Sequence, residues 1–257
     1  MGRIDLKIAG HVATVTLSNP GKLNAMSRSM WRELRCVFGA LRQDTAIRCV
    51  LIQGEGGHFC AGGDISEYAG FRFEEASLRE FHEGDVWGGL QAILDCDAPI
   101  VAQIQGKCMG AGLEIASCCD LRLAAVSALF GAPIAKLGFP MAPREAALVL
   151  GAVGELTARE MLLAASVLDA HEMKQRGFLN SVVPDADINQ ATQDSVARIC
   201  KLAPVAARLN KQSFRALRQQ IHGLPAIESV AQAYHYADTA EHREGVSAFV
   251  EKRPPNF

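Results

Sequence analysis

The chain has no surplus of positive charge. Its 257 residues carry 26 Lys and Arg against 28 Asp and Glu, a net charge of −2, whereas a general nucleic-acid binder is normally strongly basic. The eight cysteines include no Cys-x-x-Cys pair, and several sit inside apolar runs. They read as core residues in a reducing compartment rather than as a disulfide or zinc framework. The histidines are scattered, without zinc spacing. No Gly-x-Ser-x-Gly elbow occurs, so the sequence sign of a serine hydrolase is missing. There is no signal peptide, transit peptide or apolar run of membrane length, and Met-Gly-Arg-Ile-Asp-Leu-Lys already reads as a strand. The expectation is a cytoplasmic protein that binds neither nucleic acid nor membrane. With 49% hydrophobic and 21% charged residues, the chain is rich enough to bury a large core.

The most informative stretch runs from Pro99 to Asp120. Ile100 to Ile104 is apolar and β-branched, as a buried strand is. Glycines follow at 106, 110 and 112, and Leu113, Ile115 and Ala116 begin a helix. Strand, glycine-rich turn and helix together aim backbone N–H groups at negative charge. Glu114, in the first turn of that helix, sets a carboxylate beside an anion-stabilising turn, a pairing suited to proton transfer. A first-turn Glu also complements the helix dipole, which is the plainer reading. A second glycine-rich turn, Gly54 to Ile65, follows the strand Ile47 to Gln53.

Elsewhere the pattern alternates strands and helices. Residues 3–8 and 11–17 read as a hairpin split by Ala9-Gly10. Ser27 is a candidate N-cap for a helix with Met30, Leu34, Phe38 and Leu41 on one face. Its Arg28, Arg32, Arg35 and Arg42 read as a solvated face. The region Glu67 to Gly89 is the hardest to read. A helix is expected over part of it, from about Glu74 to Leu94; His82, Glu83 and Asp85 read either as groups that reach substrate or, more plainly, as exposed polar residues. Short strands are expected at Leu121–Ala125, Ala128–Phe130 and Leu179–Val183, and a helix from Pro143. Thr157 to Glu160 has the capping-box spacing, and Asp169 caps a short helix stopped by Gly177. From Asp187 the pattern is helical, interrupted at Pro204 and Gly223-Leu224-Pro225. The expected organisation is α/β, with a core over 1–190 and a helical region over 191–257.

The two glycine-rich turns, with Asn19 to Met26 upstream and Phe249 to Pro254 near the end, resemble the crotonase (enoyl-CoA hydratase/isomerase) superfamily. That resemblance implies a spiral of repeated β-β-α units with a C-terminal helical oligomerisation region forming a homotrimer or hexamer. It implies an acyl-CoA substrate, with the Glu74 to Leu94 helix bordering an acyl pocket, and no separate cofactor or metal. It assigns the two oxyanion-hole amides to Gly63 and Ala111, and an acid–base carboxylate to Glu114. It assigns coenzyme A contacts to Lys22, Leu23, Ala25, Ala61, Asp64, Ile65, Phe249 and Lys252. The chain departs from the hydratase pattern at Ile134, which stands where a second carboxylate is expected. Slow or absent crotonyl-CoA hydration is therefore expected unless another group, Glu145 first, takes that role; Glu145, well along the loop, reads equally as a solvent-facing residue. Decarboxylation, isomerisation and thioester hydrolysis stay open, as do a silent coenzyme A-binding protein and an RNA-binding member using the Arg-bearing helix.

Overall fold

The computed structural model describes residues 2–222 and 237–256. Strands β1 (Arg3–Ala9) and β2 (Val12–Ser18) form the expected antiparallel hairpin, turning at Gly10 with φ +57°. The sheet then grows by parallel pairing through β3 (Cys49–Gly54), β4 (Ile100–Ile104), β6 (Leu121–Ala125) and β9 (Ser181–Val183), in the order β1-β2-β3-β4-β6-β9. A smaller sheet holds β5 (Lys107–Met109), β7 (Leu129–Gly131) and β8 (Val167–Asp169).

Successive side chains of a strand face opposite sides, and both faces of the inner strands β3 and β4 are covered, whereas β1 at the edge is exposed apart from Ile4. Val50, Ile52, Ile100, Ala102 and Ile104 join the main core with α1 (Arg28–Gln43) and α3 (Trp87–Asp95). Cys49, Leu51, Val101 and Leu123 face the other way onto α8 (Ile188–Cys200), which supplies Ile188, Val196 and Ile199. Burial on both faces is why these strands read as unbroken apolar runs. The expected boundary near residue 190 falls inside α8.

Helix α1 starts where Ser27 Oγ accepts the N–H of Met30, and it buries Met30, Trp31, Leu34, Phe38 and Leu41. Its arginines are not simply solvated. Arg28 and Arg32 both pair with Asp85, at 2.7 Å each, and Arg42 meets Asp95. Asp85 and His82 are buried, against the expectation of exposed polar residues. They lie in a π-helical segment, Glu80–Val86, between α2 (Glu75–Arg79) and α3. Phe81, His82, Asp85 and Val86 share its inner side, so an inward Phe and Val carry His82 and Asp85 with them.

Helix α4 spans Ala111–Cys118, and α5 spans Pro143–Val153. Thr157 does not cap: it is buried inside α6 (Glu155–Leu163), which begins after Gly154. The capping box forms instead at α7 (Ala170–Gln175), between Asp169 and Glu172, and Gly177 follows with φ +83°. Helices α9 (Pro204–His222) and α10 (Ala240–Val250) complete the described chain. The expected break at Gly223-Leu224-Pro225 lies outside the described residues. Among those described, no helix is long and apolar enough to cross a membrane.

Candidate active site

The two glycine-rich turns are stitched together. Cys60 N–H donates to Lys107 O at 2.8 Å and Cys60 O accepts from Met109 N–H at 2.9 Å, a parallel bridge between the first turn and β5. Helix α4 presses onto the same point, because a Cβ at Gly112 would collide with the Cys60 carbonyl.

This scaffold aims two backbone amides. Met26 bridges Gly63 through bonds to the flanking residues: Met26 N–H to Gly62 O and Asp64 N–H to Met26 O, both 2.8 Å. Gly63's own N–H therefore points away from Met26. Ala111 opens α4, and a first helical residue has no carbonyl within its helix to receive its N–H. The preceding Gly110 holds φ +46°, ψ −110°, a conformation suited to glycine. Gly63 and Ala111 line the same cavity of about 670 Å³.

Two carboxyls enter that cavity. Glu114, on the first turn of α4, is 7% exposed, and Glu145, on the first turn of α5, is 3% exposed. Burial, followed by the charge of Glu145, pushes Glu114 well above the ordinary carboxylate range, and Arg72 opposes this. Burial also pushes Glu145 up, against Arg72 and with Glu83. Two carboxyls so placed resist ionising together, which retains a proton for transfer.

Ile134 lines the cavity as an apolar wall, half-buried at the start of a 3₁₀ turn. Glu145, which sequence reasoning left as either catalytic or solvent-facing, is buried beside Glu114 and bonded to His82 Nδ1 at 2.8 Å. Of the expected contact residues, Lys22, Ala25, Ala61, Asp64, Ile65, Phe249 and Lys252 line the cavity, and Leu23 does not. Leu23 contributes its backbone, accepting the Ala61 N–H at 3.0 Å. Lys22 Nζ meets Asp64 at 2.6 Å. Burial works against the Asp64 charge, but hydrogen bonds from Lys22 and Ser66 outweigh it and hold this carboxylate below its ordinary range.

Sequence reasoning missed Tyr68 and Arg72. Both line the cavity, and a Cβ on Gly63 would collide with Tyr68 Oη. Neither stands at a helical or strand spacing that marks it.

The enoyl-CoA hydratase/isomerase family model matches residues 7–257. A probable enoyl-CoA hydratase of Mycobacterium tuberculosis is 31% identical over 96% of this chain and 94% of its own length. Among solved structures, an enoyl-CoA hydratase/carnithine racemase from Magnetospirillum magneticum is 34% identical, with TM-score 0.83 over 100% of this chain and 96% of its own. A methylmalonyl-CoA decarboxylase is 25% identical, with TM-score 0.85 over 99% of this chain and 97% of its own.

Proposed function

Because this chain belongs to the enoyl-CoA hydratase/isomerase family, we propose that its cavity takes an acyl-CoA thioester and moves protons at the α-carbon through an enolate. One observation carries the reading. Gly63 and Ala111, which bring the two amides, line one cavity together with Glu114 and Glu145. The amides hold the charge on the thioester oxygen, usually the largest single catalytic effect. The carboxyls supply acid and base, and Glu145 takes the role left open at Ile134.

For a 2-enoyl thioester the steps balance with one shared proton. The Glu145 carboxylate takes a proton from water as its oxygen bonds the β-carbon. The π electrons of the double bond move into the enolate, the Glu114 carboxylic acid gives its proton to the α-carbon, and passage of the water-derived proton from Glu145 to Glu114 resets the pair. Burial raises both carboxyls, and Glu145 is the one to ionise first: the His82 bond and the Arg72 charge favour its carboxylate, while burial and the Glu145 charge keep Glu114 protonated. The apolar wall at Ile134 favours a second reading, loss of CO₂ from a 2-carboxyacyl thioester followed by the same protonation by Glu114. Mass spectrometry of an acyl-CoA panel separates the two: a gain of one water supports hydration, a loss of CO₂ supports decarboxylation, and no change in any member refutes both.

Coenzyme A is read onto Lys22, Ala61, Asp64 and Ile65 at one wall and Phe249 and Lys252 at another, the lysines offering point charges to phosphate. Assembly into trimers or hexamers is supported by the way α9 docks. Its polar side faces the core: Arg208 and Lys211 bind the carbonyls of Ile47 and Ala98, and Arg215 pairs with Asp97. Its Val205, Leu209, Phe214 and Leu217 are exposed, a face suited to another subunit. Val230, another apolar position of the C-terminal region, lies outside the described residues. The free cysteines, most of them buried, suit a reducing cytoplasm.

A further inference from the structure

We propose that Arg72 and His82 are positioning residues for Glu145: Arg72 fixes the His82 proton on Nδ1, and that N–H fixes the Glu145 carboxyl. The proposal rests on the reading of Glu145 as a proton-transfer group and adds how it is held. Arg72 is wholly buried, a rare place for a guanidinium. Its Cζ lies 4.4 Å from the centre of the Tyr68 ring and 4.1 Å from that of Phe139. Its edge meets two histidines, with Nη1 3.2 Å from His82 Nε2 and Nε 3.4 Å from His242 Nε2.

A guanidinium only donates. Both Nε2 atoms must therefore accept, and a neutral imidazole that accepts at Nε2 carries its hydrogen on Nδ1. In His82 that hydrogen points at Glu145 Oε1, 2.8 Å away, and in His242 at the Ala237 carbonyl, also 2.8 Å away. The opposite tautomer of His82 would set an N–H against Arg72 and a lone pair against the carboxylate. An imidazolium would set one cation against another, and burial together with Arg72 keeps His82 neutral against the pull of Glu83. His242 belongs to α10, which also brings Phe249 to the cavity, so the same guanidinium braces the catalytic wall against the C-terminal helix.

The groups facing Glu145 give the effect a direction. They are His82 and Glu83 on the π-helical segment, Arg72 ahead of α2, and Glu114 on α4. Glu83 is itself paired with Arg144 at 3.0 Å. The His82 donor and the Arg72 charge favour an ionised Glu145, and the two other carboxyls oppose it. Loss of either His82 or Arg72 moves protonation of the carboxyl pair to higher pH.

The test uses the full chain. Nitrogen-15 NMR of the histidine-labelled protein at neutral pH is expected to show His82, identified by its absence in the His82 variants, with Nδ1 protonated and Nε2 bare. His82→Asn, which keeps the N–H, supplies the assignment if His82→Leu folds poorly. In His82→Leu and Arg72→Met, kcat on the acyl-CoA found by the panel is expected to fall roughly 10- to 100-fold, the scale of losing an orienting partner. KM is expected to stay within about twofold, and the carboxyl limb of the pH profile to move up. His82→Asn keeps an N–H near the place of Nδ1 and is expected to recover most of the rate, which a purely structural role would not produce. Protonation of His82 at Nε2, or an unmoved limb in both variants, overturns the proposal. Full activity in Glu145→Gln overturns the underlying reading of Glu145 as well, which separates the two failures.

Discussion

Replacing Glu145 by Gln removes one ionisable group and almost no volume. The His82 Nδ1–H keeps an oxygen to donate to, and α5 keeps its packing, since Leu148, Val149 and Val153 are untouched. What disappears is a base in a cavity where Ile134 offers no substitute. A positioned general base is worth about 10²- to 10⁴-fold, or roughly 2.7 to 5.4 kcal/mol of barrier. We therefore predict a kcat loss in that range, with coenzyme A affinity unchanged because its contacts lie on other walls. Stability should respond with a definite sign. Both carboxyls are held above the ordinary Glu value of 4.5, so the folded state binds protons that the unfolded state has released. That contribution is fully present below the unfolded value and is lost as pH rises through the raised folded value. Glu145→Gln should thus raise Tm at pH 8 to 9 and change it little at pH 4, where wild type is protonated in both states. Steady-state turnover and melting curves at the two pH values make the assay. Wild-type turnover together with an unchanged Tm–pH profile would refute both the role and the electrostatics assigned to Glu145.

Three further outcomes follow from the same geometry. Glu114→Gln should lower kcat by roughly 100-fold or more with little effect on coenzyme A binding; turnover at the wild-type rate would reduce Glu114 to a helix-dipole residue. Gly63→Ala should cost on the order of 10²-fold in kcat, the scale of a lost oxyanion donor, because the new methyl group collides with Tyr68 Oη and displaces the amide; an unchanged rate would move the oxyanion site elsewhere. Ile134→Glu, placed in a Glu145→Gln background, should restore part of the hydration of crotonyl-CoA. No recovery in a folded double variant would show that position 134 does not face the reacting carbons.

The parts of the fold with a strong period were legible. The α1 stripe from Met30 to Leu41, the hairpin at Gly10 and the buried strand at Ile100–Ile104 all stand where their residue patterns put them. Glu114 was legible because a glycine turn and a helix start announce it. Glu145 was named but not placed, since a Pro-rich loop gives no period by which to orient the next helix. The Glu67–Gly89 region misled for a different reason. Asp85 and His82 look like surface residues until Arg28, Arg32 and Glu145 arrive from distant parts of the chain to satisfy them. Such burial depends on long-range partners, and local pattern carries no trace of them. Thr157 shows the converse: correct cap spacing with no helix start to use it, because Gly154 had already begun α6.

The most direct test of the central claim is carbon-bound deuterium. An acyl-CoA panel incubated with the protein in D₂O and read by mass spectrometry reports proton transfer at the α-carbon, whichever overall reaction follows. At least one thioester is expected to gain deuterium at that carbon with wild-type protein, and Glu114→Gln is expected to slow the gain by roughly 100-fold or more. A panel in which no member exchanges, or a Glu114→Gln protein that exchanges at the wild-type rate, would contradict that claim.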